Sequence, residues 1–101
     1  MLFELSMVPL NGHVHISSEI AEVVRVIDAA GLAYRLTPTG TCVEGTWDEV
    51  MPVIRRCHDQ MRRLAPHVLT TVSIEDEEGA KDMLEKNIAS VKEKAGGTVR
   101  C

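Results

Sequence analysis

Polar and apolar positions follow a period of two in some stretches and of three to four in others, and the switches mark the elements. From Leu2 to Pro9 the chain alternates, with Phe3, Leu5 and Met7 on one side and Glu4, Ser6 and Val8 on the other, which predicts a strand. Asn11-Gly12 breaks it, and a polar loop with His13 and His15 follows. Ser17 or Ser18 is placed to cap a helix, with Glu19 and Glu22 near its positive end. Ile20, Val23, Val24 and Ile27 form that helix's apolar face, and Gly31 stops it.

A second strand is expected over Ala33 to Thr37, with Tyr34 and Leu36 on one face. Pro38-Thr39-Gly40 turns the chain, and Thr41 to Gly45 returns as a third strand. Thr46-Trp47-Asp48-Glu49 has the spacing of a capping box, with Thr46 as N-cap and Glu49 reaching back to its amide. The helix it opens is expected to bury Val50, Val53, Ile54, Cys57, Met61 and Leu64, and Pro52 predicts a kink. Pro66 ends it. His67 to Ile74 alternates again, with Val68, Thr70, Val72 and Ile74 opposite Leu69, Thr71 and Ser73. After the acidic run Glu75 to Glu78, a last helix is expected from about Ala80 to Lys94, carrying Ala80, Met83, Leu84, Ile88 and Val91 as its stripe. Gly96-Gly97 ends it, leaving a short tail as a candidate edge strand.

The order β-α-β-β-α-β-α defines an α+β, ferredoxin-like split βαβ plan, read as a single domain over residues 1–101. Two crossovers put both main helices on one face of an antiparallel four-stranded sheet and leave the other face open. That open face is expected to carry Glu4, Ser6 and Val8, then Arg35 and Thr37, then Cys42 and Glu44, and finally Leu69, Thr71 and Ser73. With the first and third strands as neighbours, Glu4 and Glu44 come together among hydroxyls. An acidic patch flanked by Val8 and Leu69 suits a cationic or hydrogen-bond-donating heterocycle. The same face could instead pack against another copy of the chain, with Glu4 paired to Arg35. These readings are compatible, since a sheet-on-sheet oligomer would enclose a pocket.

Composition narrows the classes. The 101 residues suffice for one core, and 45% hydrophobic with 26% charged residues is ordinary for a globular domain. A net charge of -4, scattered basic residues and three aromatics argue against nucleic acid. No stretch approaches the ~20 apolar residues of a membrane span. Met1-Leu2-Phe3-Glu4-Leu5 has no basic region and is not a signal peptide. Three cysteines, Cys42, Cys57 and Cys101, without a paired spacing imply free thiols in a reducing, cytoplasmic setting. His13 and His15 supply two candidate metal ligands, but spacing fixes no third, so no metal site is assigned. Cys57 and His58 are adjacent on a helix, about 100° apart, and cannot form a dyad. No phosphate loop or nucleophile elbow is present, so no catalytic residue is named and the chain is read as a non-enzyme.

Several runs carry a family resemblance: Glu4-Leu5-Ser6-Met7-Val8-Pro9, Tyr34 through Thr41, and Glu44-Gly45-Thr46-Trp47-Asp48-Glu49-Val50-Met51, with Cys57-His58 and Thr70 through Ile74. They resemble the small thiamine-binding (YkoF-like, MTH1187-type) protein family, over nearly the whole chain. The resemblance implies a ferredoxin-like homodimer or homotetramer that assembles through its sheets. It further implies binding of thiamine or its hydroxymethylpyrimidine moiety, without catalysis, in thiamine salvage or transport. Carried over residue by residue, Ser6, Thr41, Glu44 and Thr71 would line the sheet-face pocket, with Ser17 at its rim. Glu44, helped by Glu4, would accept hydrogen bonds from an aminopyrimidine or face positive charge. Relatives often carry a basic residue where Ser73 stands, an Asp at Glu75 with an Arg soon after, and an aromatic near Glu19. Their replacement favours a cationic thiazolium, a different ligand or a loss of binding. An assembly with no small ligand is the competing reading.

Overall fold

The structure, a computed structural model, describes the chain apart from residues 11, 14, 97, 98 and 101. Strand β1 (Leu2–Pro9) leads to helix α1 (Ser17–Ala29), the hairpin β2 (Ala33–Thr37) and β3 (Gly40–Glu44), helix α2 (Trp47–Leu64), strand β4 (Val68–Glu75) and helix α3 (Met83–Ala95). All pairings are antiparallel and the sheet order is β2-β3-β1-β4, the expected ferredoxin-like plan. The C-terminal tail, a candidate edge strand, is not a strand at its described residues, Val99 and Arg100. Gly97 and Cys101 lie outside the described residues.

Alternation decides which side chains meet. Phe3 pairs with Val43 and Leu5 with Thr41 on β3, while Phe3 pairs with Ile74 and Leu5 with Val72 on β4. Paired residues share a face, so these side chains form the surface on which α1 and α2 lie. Phe3, Leu5, Met7 and Val43 join Val23 and Ile27 of α1 and Val50, Val53, Ile54, Cys57 and Met61 of α2 in one buried cluster. Trp47 closes one end, its ring edge-on to Phe3 with centroids 5.9 Å apart. Cys57 places its Sγ 3.7 Å from the Val23 carbonyl oxygen, tying the two helices together.

The helix ends show why the chain turns where it does. At α2 the capping box is complete: the Glu49 amide donates to Thr46 Oγ1, and the Thr46 amide donates to Glu49 Oε1. These hydrogen bonds hold the Glu49 carboxyl below its ordinary range. Helix α2 runs through Pro52 without interruption. Leu64, expected in the core, is 44% exposed, because α2 ends there and only Ala65 turns inward. Helix α1 starts one residue earlier than the serine caps required. Ile16 occupies the N-cap position, and no side chain caps the helix. Helix α3 starts at Met83, not Ala80, after Asp82 adopts a left-handed conformation at φ +58.

Candidate ligand-binding pocket

The two neighbours of β1 treat it unequally. Strand β4 pairs with it from Leu2 to Pro9, whereas β3 pairs only from Leu2 to Leu5, where Leu5 meets Thr41. Beyond that point the β2–β3 hairpin turns back on itself. Thr37 Oγ1 donates to the Gly40 carbonyl at 2.9 Å and accepts from the Thr39 amide at 3.4 Å. The corner of the sheet where β3 would have continued is therefore missing.

That missing corner is a pocket of about 220 Å³. Leu5, Ser6, Met7 and Val8 of β1 form one wall, and the hairpin from Leu36 to Thr41 forms another. Ile16, Ile20 and Val23 of α1 make the apolar floor. Ile16, the N-cap residue of α1, is one of these lining residues. Gly40 is required at the hairpin's shoulder: a Cβ on it would lie 2.7 Å from the Leu5 carbonyl oxygen. The pocket is smaller than the roughly 300–1,000 Å³ of drug-sized sites, and its size suits one substituted ring.

The candidate residues fall into two groups. Ser6 and Thr41 line the pocket, Ser6 from the strand face it shares with Thr71, whereas the exposed Ser17 follows the lining Ile16 without lining the pocket itself. Thr41 is not on the open sheet face: it pairs with Leu5, points toward the helices and is 4% exposed. Glu4, Glu44 and Thr71 do share the open face, on which Glu4 pairs with Cys42 and Ser6 with Thr71. Glu44 pairs with Leu2, which makes it a diagonal neighbour of Glu4.

The open face is not bare, however. The Met83 amide donates to Glu44 Oε2 at 2.7 Å, and the Leu84 amide donates to Glu44 Oε1 at 3.3 Å. Arg35, expected opposite Glu4, instead pairs with Glu85. Helix α3 thus docks on the β2–β3 half of this face, and the Glu44 carboxylate serves as its cap. The expectation of a wholly uncovered face fails because the last helix folds back onto it. The other half of the face exposes Thr71, Ser73 and Leu69, the last 55% exposed.

One residue of interest carried no functional signal in the sequence. Glu19, read there as a dipole-favoured acid, has a buried Oε2 with no hydrogen-bond partner among the described residues. It lies beside Ile16, Ile20 and Val23 on α1. Burial pushes the Cys57 thiol up to about 11, and burial together with Glu4 raises that of Cys42. His58 Nδ1 sits 2.7 Å from Thr70 Oγ1, so the imidazole braces α2 against β4. No group of three or more metal-ligating side chains occurs among the described residues. Nor, among them, is any helix long and apolar enough to cross a membrane.

Fold and recess together define a small ferredoxin-like α+β domain with a ring-sized pocket at an incomplete sheet corner. The chain belongs to the thiamine-binding protein family, whose model matches residues 3–92. Among similar proteins, UPF0045 protein YqgV of Bacillus subtilis is 32% identical over 81 residues, covering 75% of this chain and 78% of the relative. UPF0045 protein sll0230 of Synechocystis is 27% identical over 92 residues, covering 90% and 76%. The crystal structure of hypothetical protein MJ1052 from Methanocaldococcus jannaschii superposes with a TM-score of 0.84 at 20% identity, covering 91% of this chain and 95% of that one. Protein TM0486 of Thermotoga maritima, proposed to act in thiamine biosynthesis or salvage, gives 0.78 at 20% identity, covering 88% and 96%. At such identities the two superpositions establish the fold.

Proposed function

We propose that this chain binds thiamine or its hydroxymethylpyrimidine moiety, without catalysis, as part of thiamine salvage or transport in the cytoplasm. The observation that carries the reading is the coincidence of the family match with a ring-sized, apolar-floored pocket. Ser6 and Thr41 reach that pocket from two strands. The pyrimidine would enter it, with Ser17 at the rim, while the cationic thiazolium would stay nearer solvent. Glu44, the acceptor expected from the sequence, already accepts from two α3 amides, so a ligand would share its carboxylate with the helix. Glu19, next to the lining Ile20 on α1 and with one carboxylate oxygen lacking a partner among the described residues, is the alternative acid.

Assembly as a homodimer or homotetramer through the open face is supported by the exposed Leu69, together with Ile88 and Val91 of α3. The same apolar residues favour the second reading, an oligomer with no small ligand. Calorimetric titration separates the two. Heat with thiamine or hydroxymethylpyrimidine supports binding. No heat with either, or with thiamine phosphates, together with a melting temperature indifferent to all of them, overturns the binding reading and leaves the second one.

A further inference from the structure

The pocket contains a hydrogen-bonding pair that belongs to the backbone. In an antiparallel ladder, each residue directs its N–H and C=O to the same side, and successive residues alternate. The Leu10 amide donates to the His67 carbonyl at 2.7 Å, so Leu10 and, counting back by twos, Val8 and Ser6 address β4. On the other side the Gly45 amide donates to the Met1 carbonyl at 3.0 Å, so Met1, Phe3, Leu5 and then Met7 address β3. Both counts agree on Met7.

Strand β3 is absent at that point. By register Met7 would exchange hydrogen bonds with Thr39, but the Thr39 amide is turned to Thr37 Oγ1. Among the described residues no hydrogen bond joins Met7 to the hairpin. The Met7 residue is 4% exposed, so its N–H and C=O are screened from bulk water except through the pocket they border. Backbone groups that lack a strand partner in such a place are costly unless something else satisfies them.

We propose that the Met7 main chain is the specificity element of this pocket, reading the donor–acceptor edge of a 4-aminopyrimidine ring. The exocyclic amino group donates to the Met7 carbonyl while the adjacent ring nitrogen accepts from the Met7 amide, replacing the strand residue that the hairpin withholds. The ring lies in the plane of the sheet, over Ile16, Ile20 and Val23. The pocket volume admits one ring and is too small for the side chains of an added peptide strand. This inference rests on the proposed thiamine-type function and specifies how that function selects its ligand.

The test uses the unmodified protein and two ligands. Thiamine carries the 4-amino group. Oxythiamine carries a 4-oxo group beside a ring N–H, so in the same seating acceptor faces acceptor and donor faces donor. We expect oxythiamine to bind at least tenfold more weakly, and thiamine and hydroxymethylpyrimidine to shift the Met7 amide downfield in a 1H–15N spectrum. Thr37→Val, which frees Thr39 to close onto Met7, should weaken thiamine binding by a comparable factor. Thiamine binding with an unmoved Met7 amide, or equal affinity for oxythiamine, overturns the backbone reading and leaves the proposed function standing. A Met7 amide that shifts with protein concentration alone assigns the edge to a second copy and likewise overturns it. Absence of binding by thiamine and hydroxymethylpyrimidine overturns both.

Discussion

Replacing Glu44 by alanine tests whether α3 is held to the sheet by a single side chain. Helix α3 spans 13 residues, buries none of them and has no side-chain cap of its own, because Asp82 is in the left-handed region. A helix of that length is marginal in water without tertiary support. Glu44 gives it two amide hydrogen bonds, at 2.7 and 3.3 Å, and a negative charge at its positive end. Loss of a cap costs about 1 kcal/mol and loss of the dipole interaction roughly 0.3–1. The total, about 1–2 kcal/mol, is a factor of roughly 5–30 in the local opening equilibrium. Native-state hydrogen exchange reads this directly: amides from Asn87 to Lys94 should lose protection by about that factor in Glu44→Ala, while amides around Cys57 and Met61 in α2 stay unchanged. Glu44→Gln, which keeps one acceptor and loses the charge, should fall between. Unchanged α3 protection in the alanine variant would refute the reasoning and shift the tether to the Arg35–Glu85 pair. A fall in protection across α2 as well would show that α3 belongs to the global folding unit.

Thr46→Ala should cost about 1 kcal/mol, read as a drop of about 4–8 °C in Tm by calorimetry. Glu49, whose folded carboxyl lies below its unfolded value, contributes stability that is present above the unfolded pKa and lost as pH falls through the folded one. Glu49→Gln should therefore flatten the acid limb of a stability–pH curve, and an unaltered limb would assign it to other carboxylates. The buried Cys57 thiol works in the opposite sense. Between pH 9 and its folded value of about 11 only the unfolded thiol ionises, so stability should fall with rising pH, and Cys57→Ala should remove that fall in urea titrations. Gly40→Ala should cost about 1–3 kcal/mol, since its Cβ meets a backbone oxygen that cannot rotate away. A variant with unchanged urea midpoint and unchanged thiamine affinity would show that the hairpin shifts freely.

The fold was largely legible because its signals are local. Alternation assigned Phe3, Leu5 and Met7 to the core side, and the four residues from Thr46 carry the whole of the α2 start. The misses around α3 depend on something distant in the chain. Nothing near Met83 says that its amide will find Glu44, 39 residues earlier. The stripe Leu84, Ile88 and Val91 predicts an apolar side but not the surface it will cover. Thr41 was assignable in principle, since it lies two residues from the apolar Val43, and alternation alone puts both toward the helices. The pocket was hidden for a different reason. It exists because a ladder stops early, and the groups that matter in it are main-chain atoms, which no residue pattern distinguishes.

The sheet order also governs how this chain must fold. Strand β1, one of the two inner strands, is made before the strands it pairs with: Leu2 waits for Glu44 on one side and for Glu75 on the other. The β2–β3 hairpin and the capped start of α2, by contrast, form from neighbouring residues. Closing loops of that length before any core contact is gained slows the search. During synthesis the apolar side of β1 emerges long before β4 exists to pair with it. Strand β1 thus stays open to premature association until β4 is made, and a molecular chaperone that recognises short apolar stretches would find Phe3, Leu5 and Met7 in it.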